Sequence, residues 1–153
     1  MAKKIFLETR SETILFTLFG ISCHLKDYRL SYYLNQKLEL SFAKMDDFQG
    51  YSFYFCRDED SFNSYYLLGN RGPEAILLPD LKQTDFLLLL EGPVKKAQKE
   101  QLLEKVRGIQ NVLTAYEVRF ETIKNYNLML TDLEIHLMNI LREAKVKYSL
   151  IKK

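Results

Sequence analysis

The chain has 153 residues, of which 47% are hydrophobic and 27% charged, and a formal net charge of +2 at pH 7. This length and composition favour one folded domain spanning residues 1–153 and exclude a disordered or low-complexity protein. Acidic and basic residues are interspersed, so no strong basic patch is predicted and nucleic acid is not an expected partner.

Cysteine content and hydropathy indicate the cellular compartment in which the protein is expected. Cys23 and Cys56 are too few for a disulfide framework and lack the paired spacing of a zinc site. The N-terminal segment lacks the features of a signal peptide, and no apolar run approaches the ~20 residues that cross a bilayer. We therefore expect a cytoplasmic protein without a membrane anchor.

The first half of the chain predicts short strands around one helix. Strands are expected over residues 3–7 and 14–19, and a polar stretch follows Gly20. Asp27 can cap a helix in which Leu30, Leu34 and Leu38 recur at helical spacing. Three further strands, separated by turn residues, predict an antiparallel meander over residues 40–44, 51–57 and 64–68.

The second half predicts a strand, helix and strand in succession. Residues 75–78 run extended into Pro79, a strand covers 86–90, a helix covers about 94–107, and a strand follows at 111–120. A last helix is expected to begin with a capping box from Thr131 to Glu134. The predicted fold is α+β, with a mixed, mostly antiparallel sheet of about six to seven strands and three helices. It includes a C-terminal βαβ unit whose two strands are parallel.

A proline break flanked by acids, Leu78-Pro79-Asp80-Leu81-Lys82-Gln83-Thr84-Asp85-Phe86, is the most informative segment. On a structural interpretation Asp80 caps the N–H of Lys82 or Gln83, and Asp85 pairs with Arg71 or Arg29. On a functional interpretation Asp80 and Asp85 form a proton-accepting and proton-donating pair. The structural interpretation is favoured, because paired acids also arise in purely structural networks.

The turn Asn70-Arg71-Gly72 also has two interpretations. Asn and Gly suit the left-handed backbone of a tight turn, whereas Arg71 with turn amides could clamp an anion. The turn is favoured. The candidate ligand-binding residues are Arg29, Asn70, Arg71, Asp80 and Asp85.

The other reactive side chains give weaker indications of a function. Cys23 and His24 are adjacent, so on an extended chain they point to opposite sides and make a poor nucleophile and base. His136 is expected at the flank of the last helix, and two distant histidines do not support a metal site. We predict no catalytic residue, no metal and no cofactor. Tyr54, Tyr65 and Tyr66 are expected on outer sheet faces, either as an interface or covered by a helix.

The segment from Leu78 to Phe86 resembles the signature of the IPExxxVDY family, small bacterial proteins without an assigned activity. Pro79 and Asp85 match it identically, and Leu78, Asp80, Thr84 and Phe86 replace signature residues with similar ones at the same spacing. Segments 20–35 and 70–72 are also similar to that family, so the resemblance covers most of residues 14–120. It implies a cytoplasmic bacterial protein and carries over no catalytic residues.

Three functions remain open from the sequence. The leading hypothesis is a non-enzymatic interaction or scaffolding module that binds a protein partner or a second copy of itself, because no nucleophile, base and charge stabiliser converge. The alternative is a regulatory domain that senses a small ligand or anion. The third is an enzyme that uses the acid pair near Pro79.

Overall fold

The computed structural model describes the backbone of residues 16–152 and the side chains of residues 16–144. The strand predicted at residues 3–7 lies outside this part of the chain. The six described strands are β1 (Phe16–Cys23), β2 (Ala43–Phe48), β3 (Tyr51–Asp58), β4 (Asn63–Gly69), β5 (Phe86–Glu91) and β6 (Val112–Val118). The three described helices are α1 (Asp27–Leu38), α2 (Lys96–Arg107) and α3 (Tyr126–Lys152), and short 3₁₀ turns cover Pro79–Leu81 and Phe120–Thr122.

The strands form one sheet in the order β2-β3-β4-β5-β1-β6. Every neighbouring pair in it is antiparallel, so the predicted mixed sheet is wrong at the level of adjacent strands. β5 and β6 do run in the same direction, as predicted, but β1 lies between them. β1 takes this central position because Leu18 points to one face and Phe19 and Ile21 to the other, and all three are fully buried.

Four strands and two helices form two interlocked split βαβ units. α1 lies between β1 and β4 in the chain, α2 lies between β5 and β6, and the four strands are ordered β4-β5-β1-β6. This arrangement is the ferredoxin-like one. The β2-β3 hairpin extends the sheet beyond β4, and α3 is added after β6.

The sheet is covered on both faces. α1 and α2 bury Leu30, Leu34 and Val106 against one face, and α3 buries Leu133 and Leu137 against the other. Tyr54 and Tyr66 are buried under these helices and Tyr65 is partly buried, so of the two predicted roles for these tyrosines the structure shows coverage by helices. None of the helices in the described part of the chain is both long and apolar enough to cross a bilayer.

Two strand boundaries differ from the prediction for identifiable reasons. β1 continues through Gly20, beyond the predicted end at residue 19. A Cβ at this position would lie 3.0 Å from the Tyr116 ring, so glycine permits close packing of Tyr116 within the sheet. β2 begins at Ala43, not at residue 40. The Asn35 amide holds the backbone N–H and carbonyl of Phe42, at 2.7 and 3.3 Å, and ties this segment to α1.

The predicted start of the last helix is wrong. α3 begins at Tyr126, so Thr131 lies inside the helix and its hydroxyl donates to the carbonyl of Asn127 at 3.0 Å. This is the bond that Thr makes to the preceding turn of a helix, not a cap. Glu134 is half-buried and has no capping role there.

Candidate functional site

Asn70 lies directly after β4 and is fully buried. Its Nδ2 donates to the carbonyl oxygens of Leu81 and Thr84, each at 2.9 Å, and its Oδ1 accepts from the Leu78 N–H at 2.8 Å. Its backbone N–H donates to the Asp85 carbonyl at 2.9 Å. Both N–H donors of the amide are therefore occupied, and Asn70 holds the following loop in place.

Asp85 joins three strand ends. Its Oδ1 accepts from Arg71 Nε at 2.8 Å, and its Oδ2 accepts from the backbone N–H of Cys23 at 2.9 Å. Arg71 Nη2 also donates to the carbonyl of Lys82 at 2.7 Å. Of the two predicted partners of Asp85, Arg71 is therefore the one that binds it. The pair links the ends of β1 and β4 to the start of β5.

Asp80 has a distant partner. Its Oδ2 accepts from the backbone N–H of Lys124 at 3.0 Å, so the predicted bond to Lys82 or Gln83 is wrong. The turn Pro79–Leu81 already closes through its own backbone hydrogen bonds, which leaves the carboxylate available to the segment before α3. Asp80 therefore fixes the approach to α3.

The remaining motif residues shape the loop. Leu78 and Phe86 are buried on opposite faces of the sheet, and Pro79 begins the 3₁₀ turn. Thr84 is 1% exposed, and its hydroxyl is hydrogen-bonded to the hydroxyl of Tyr116 on β6. Each of these side chains is used in packing or in an internal hydrogen bond.

A cleft of about 470 Å³ opens beside Asp85, where β1 leads into α1. Three cationic and three acidic side chains contribute to its lining, namely Lys26, Asp27, Lys44, Asp47, Arg71 and Asp85. Asp80 and Arg29 do not line it. The acid pair proposed from the sequence is therefore not assembled in this cleft.

Much of the charge in the cleft is balanced internally. Lys44 Nζ lies 3.0 Å from Asp47 Oδ1 and 3.8 Å from Asp27 Oδ2, and Arg71 is paired with Asp85. The Tyr54 hydroxyl donates to Asp27 at 3.0 Å. Burial of the phenol and this hydrogen bond raise the pKa of Tyr54 to about 12. An anionic ligand would have to compete with the carboxylates for the same cations.

Arg29 lies apart from the other candidates. It is on the exposed side of α1, where Nη2 donates to the Tyr33 hydroxyl at 3.2 Å and the guanidinium carbon is 5.9 Å from the centre of the Tyr33 ring. The predicted set is thus divided. Arg71 and Asp85 lie together at the cleft, Asn70 supports them from the core, and Asp80 and Arg29 face elsewhere.

The cysteine and the two histidines have structural surroundings. Cys23 is buried, and burial raises the pKa of its thiol, which disfavours the thiolate a nucleophile requires. His24 is exposed. His136 Nε2 lies 3.0 Å from the carbonyl oxygen of Asp46 on β2, and its ring packs beside Phe48. His136 therefore joins α3 to the edge of the sheet.

Sequence reasoning missed an acidic cluster beneath α3. The Tyr66 hydroxyl donates to Glu91 Oε1 at 2.5 Å, and Glu134 of α3 lies close enough to Glu91 for their charges to interact. Burial, and then repulsion by Glu91, raise the pKa of Glu134, while burial and the bond to Glu91 raise that of Tyr66. These residues lie 25 and 43 positions apart in sequence, so no local motif could indicate their contact.

Sequence reasoning also missed an apolar surface, which we call the outer face of α3. Leu128, Ile135, Met138 and Leu141 are 62, 52, 58 and 51% exposed. The signal for it was present, because three of these residues recur at spacings of seven and three on the helix. It was overlooked because the same helix carries a second, buried apolar stripe.

Within residues 16–144, no group of three or more His, Cys, Asp or Glu side chains is placed to hold a metal ion. Comparison with protein-family models and with curated proteins finds no match for this chain. The resemblance to the IPExxxVDY family therefore stays a prediction.

Proposed function

We propose that this protein is a non-enzymatic interaction module that binds a protein partner or a second copy of itself through the outer face of α3. The observation that supports this most directly is the exposure of four large apolar side chains on one helix. Exposed apolar side chains that group on one surface mark interaction sites, whereas scattered single ones do not. The partner would cover side chains that the sheet does not reach.

The state of the polar residues supports the same proposal. Asn70 and Asp85 are engaged in hydrogen bonds that hold the strand ends, and Asp80 is bonded to the backbone before α3. General acid–base catalysis by two carboxylates requires that both reach one reacting group of a substrate. The enzyme hypothesis therefore loses the acid pair on which it depended.

A paired capture experiment tests the proposal. The full chain and a double variant that carries both Ile135→Glu and Met138→Glu are immobilised in parallel. The proteins that each one retains, and the self-association of each one, are then measured. We expect a retained protein or a self-associated species that is lost in the variant. Leu113→Glu is the matched control, because Leu113 is also 65% exposed but lies on β6. If the variant and the wild type bind alike, the proposal is wrong.

A second candidate function is recognition of a small anionic ligand in the cleft at Arg71. It is favoured by the cleft volume and by three cationic side chains in its lining. A thermal-shift screen with carboxylates and phosphates tests it, since a ligand at 100 times its Kd stabilises the folded state by about 2.7 kcal/mol. The shift should be lost in Lys44→Ala. A screen in which no compound shifts the wild type would contradict it.

We also propose, on the resemblance described above, that the chain is a bacterial member of the IPExxxVDY family and acts in the cytoplasm. The placement of the signature supports a structural role for it: Pro79 begins a turn and Asp85 joins three strand ends. Such a signature would mark the fold and not a reaction.

A further inference from the structure

We propose that the outer face of α3 binds the same face of a second copy, with the two helices antiparallel. This inference rests on the proposed interaction function and names its partner. It is carried by two features of α3, the position of its exposed apolar residues and the distribution of its charges.

The exposed apolar residues lie away from the sheet. At 100° per residue, Leu128, Ile135 and Met138 fall within about 80° of one another, with Leu141 at the edge of the group. Leu133, which is 1% exposed against the sheet, points about 160° away from Ile135. A partner helix can therefore reach this stripe without disturbing the core.

The length of α3 also suits a helical partner. The helix has 27 residues, which corresponds to about 40 Å. Among residues 126–144, the last one packed against the sheet cluster is Ile140, and residues 141–144 are all exposed. The apolar stripe thus continues one residue past Ile140, to Leu141.

The charges on α3 are divided between its two halves. Residues 126–139 contain no Lys or Arg and two acids, Asp132 and Glu134; Glu134 lies beneath the helix close to Glu91, so Asp132 is the acid that can face a partner. Residues 140–152 contain Arg142, three lysines and a single acid, Glu143. A parallel pair would place basic half against basic half. An antiparallel pair places the acidic half of each copy against the basic half of the other, which is the complementary arrangement.

A two-fold axis gives this pairing a definite register. In an isologous interface, residue i meets residue j while j meets i. If Ile135 of one copy faces Met138 of the other, Asp132 lies next to the position of Arg142 in the other copy, and this contact occurs twice. Exposed apolar residues then fill the centre of the interface, and charged residues flank it.

A charge-swap series in the full chain tests the pairing. Sedimentation equilibrium from 10 to 200 µM protein gives the dimer dissociation constant for wild type, Asp132→Lys, Arg142→Glu and the double variant. We expect each single reversal to weaken the dimer about tenfold, because each contact is present twice, and the double variant to recover most of the loss. The single-variant effects should shrink at high salt.

Each alternative outcome is distinct. If Arg142→Glu alone strengthens association, the helices are parallel and the antiparallel proposal is wrong. Suppose that the wild type stays monomeric at 200 µM, and that it retains a protein which the double variant Ile135→Glu, Met138→Glu does not retain. Self-pairing is then wrong and the interaction function stands. If this double variant changes neither the molecular mass in solution nor the set of retained proteins, both the self-pairing and the interaction function are wrong. Denaturant unfolding of each variant excludes misfolding as the cause.

Discussion

The loop from Asn70 to Asp85 and the outer face of α3 differ in how their side chains are used. In the loop, a buried amide and two carboxylates are bonded to the backbone of the same chain. On the outer face of α3, four apolar side chains have more than half of their surface exposed to solvent. The difference indicates that the segment richest in polar motif residues maintains the fold, while a surface without polar motif residues is free to bind.

The strongest test of this comparison is Asn70→Ala. The substitution removes both donors to Leu81 and Thr84 and the acceptor for the Leu78 N–H, all in a fully buried position. Because each buried group left without a partner costs 1–3 kcal/mol, we expect a loss of about 4 kcal/mol in the free energy of unfolding, measured in urea. Lys82→Ala is the control, since Lys82 is exposed and bonds Arg71 only through its carbonyl. A loss below about 1 kcal/mol for Asn70→Ala would contradict a structural role.

A second test contrasts the two faces of α3. Leu133 is 1% exposed and Ile135 is 52% exposed, two positions away. We expect Leu133→Ala to cost about 3 kcal/mol through lost burial and the cavity it leaves. Ile135→Ala should stay within about 0.5 kcal/mol at a concentration where the protein is monomeric. Equal losses in thermal unfolding would mean that the outer face belongs to the core.

Some of this architecture follows from local patterns. Leu30 and Leu34 at helical spacing predicted α1, and the continuous apolar run of residues 86–90 predicted a strand, which the structure shows as β5. An arginine partner for Asp85 was predictable because a carboxylate before a buried strand needs a donor nearby, but the sequence left Arg71 and Arg29 as alternatives. The inferences on α1 and β5 used residues within one element, whereas the pairing of Asp85 followed from the need of a carboxylate beside a buried strand for a donor.

The rest depends on contacts between distant elements. Asp80 bonds to Lys124 and Tyr66 bonds to Glu91, and neither pair has a local signature. β1 lies between β5 and β6 because both of its faces are apolar and must be buried. The length of the connection through α2 does not determine this order. The start of α3 was missed because residues Thr131 to Glu134 match the capping-box pattern although they lie inside the helix; Asn125, which precedes the helix, has a φ of 61°.

A smaller effect on the free energy of unfolding is expected from the two acids of the loop, Asp85 and Asp80. Asp85→Asn keeps a carbonyl oxygen for the Cys23 N–H but loses the charge that pairs with Arg71. Because Arg71 is half-exposed and water screens the pair, we expect a loss of only about 1 kcal/mol. Asp80→Asn keeps an acceptor for the Lys124 N–H and should cost less. If Asp80→Asn proves the more damaging in urea unfolding, Asp80 has a role that its bond to Lys124 does not explain.

The smallest expected effect lies beneath α3, where Glu134 lies close enough to Glu91 for their charges to interact. Burial, and then repulsion by Glu91, raise the pKa of Glu134 above its ordinary value of 4.5. The folded state therefore binds this proton more tightly than the unfolded state, so the contribution to stability is complete below pH 4.5 and is lost as the pH rises through the raised pKa. At pH 7 the carboxylate opposes folding, whereas a neutral amide of the same shape does not.

Glu134→Gln should consequently be more stable than the wild type at pH 7 and nearly equal to it at pH 4, by denaturant unfolding at both pH values. In a Glu91→Gln background the same comparison should give a smaller gap that does not vanish, because burial is the larger cause of the raised pKa. A gap of the same size at pH 4 and pH 7 would show that the amide acts through packing and not through charge. In that case burial alone, and not the ionisation of Glu134, would distinguish the stability of the underside of α3 from that of its outer face.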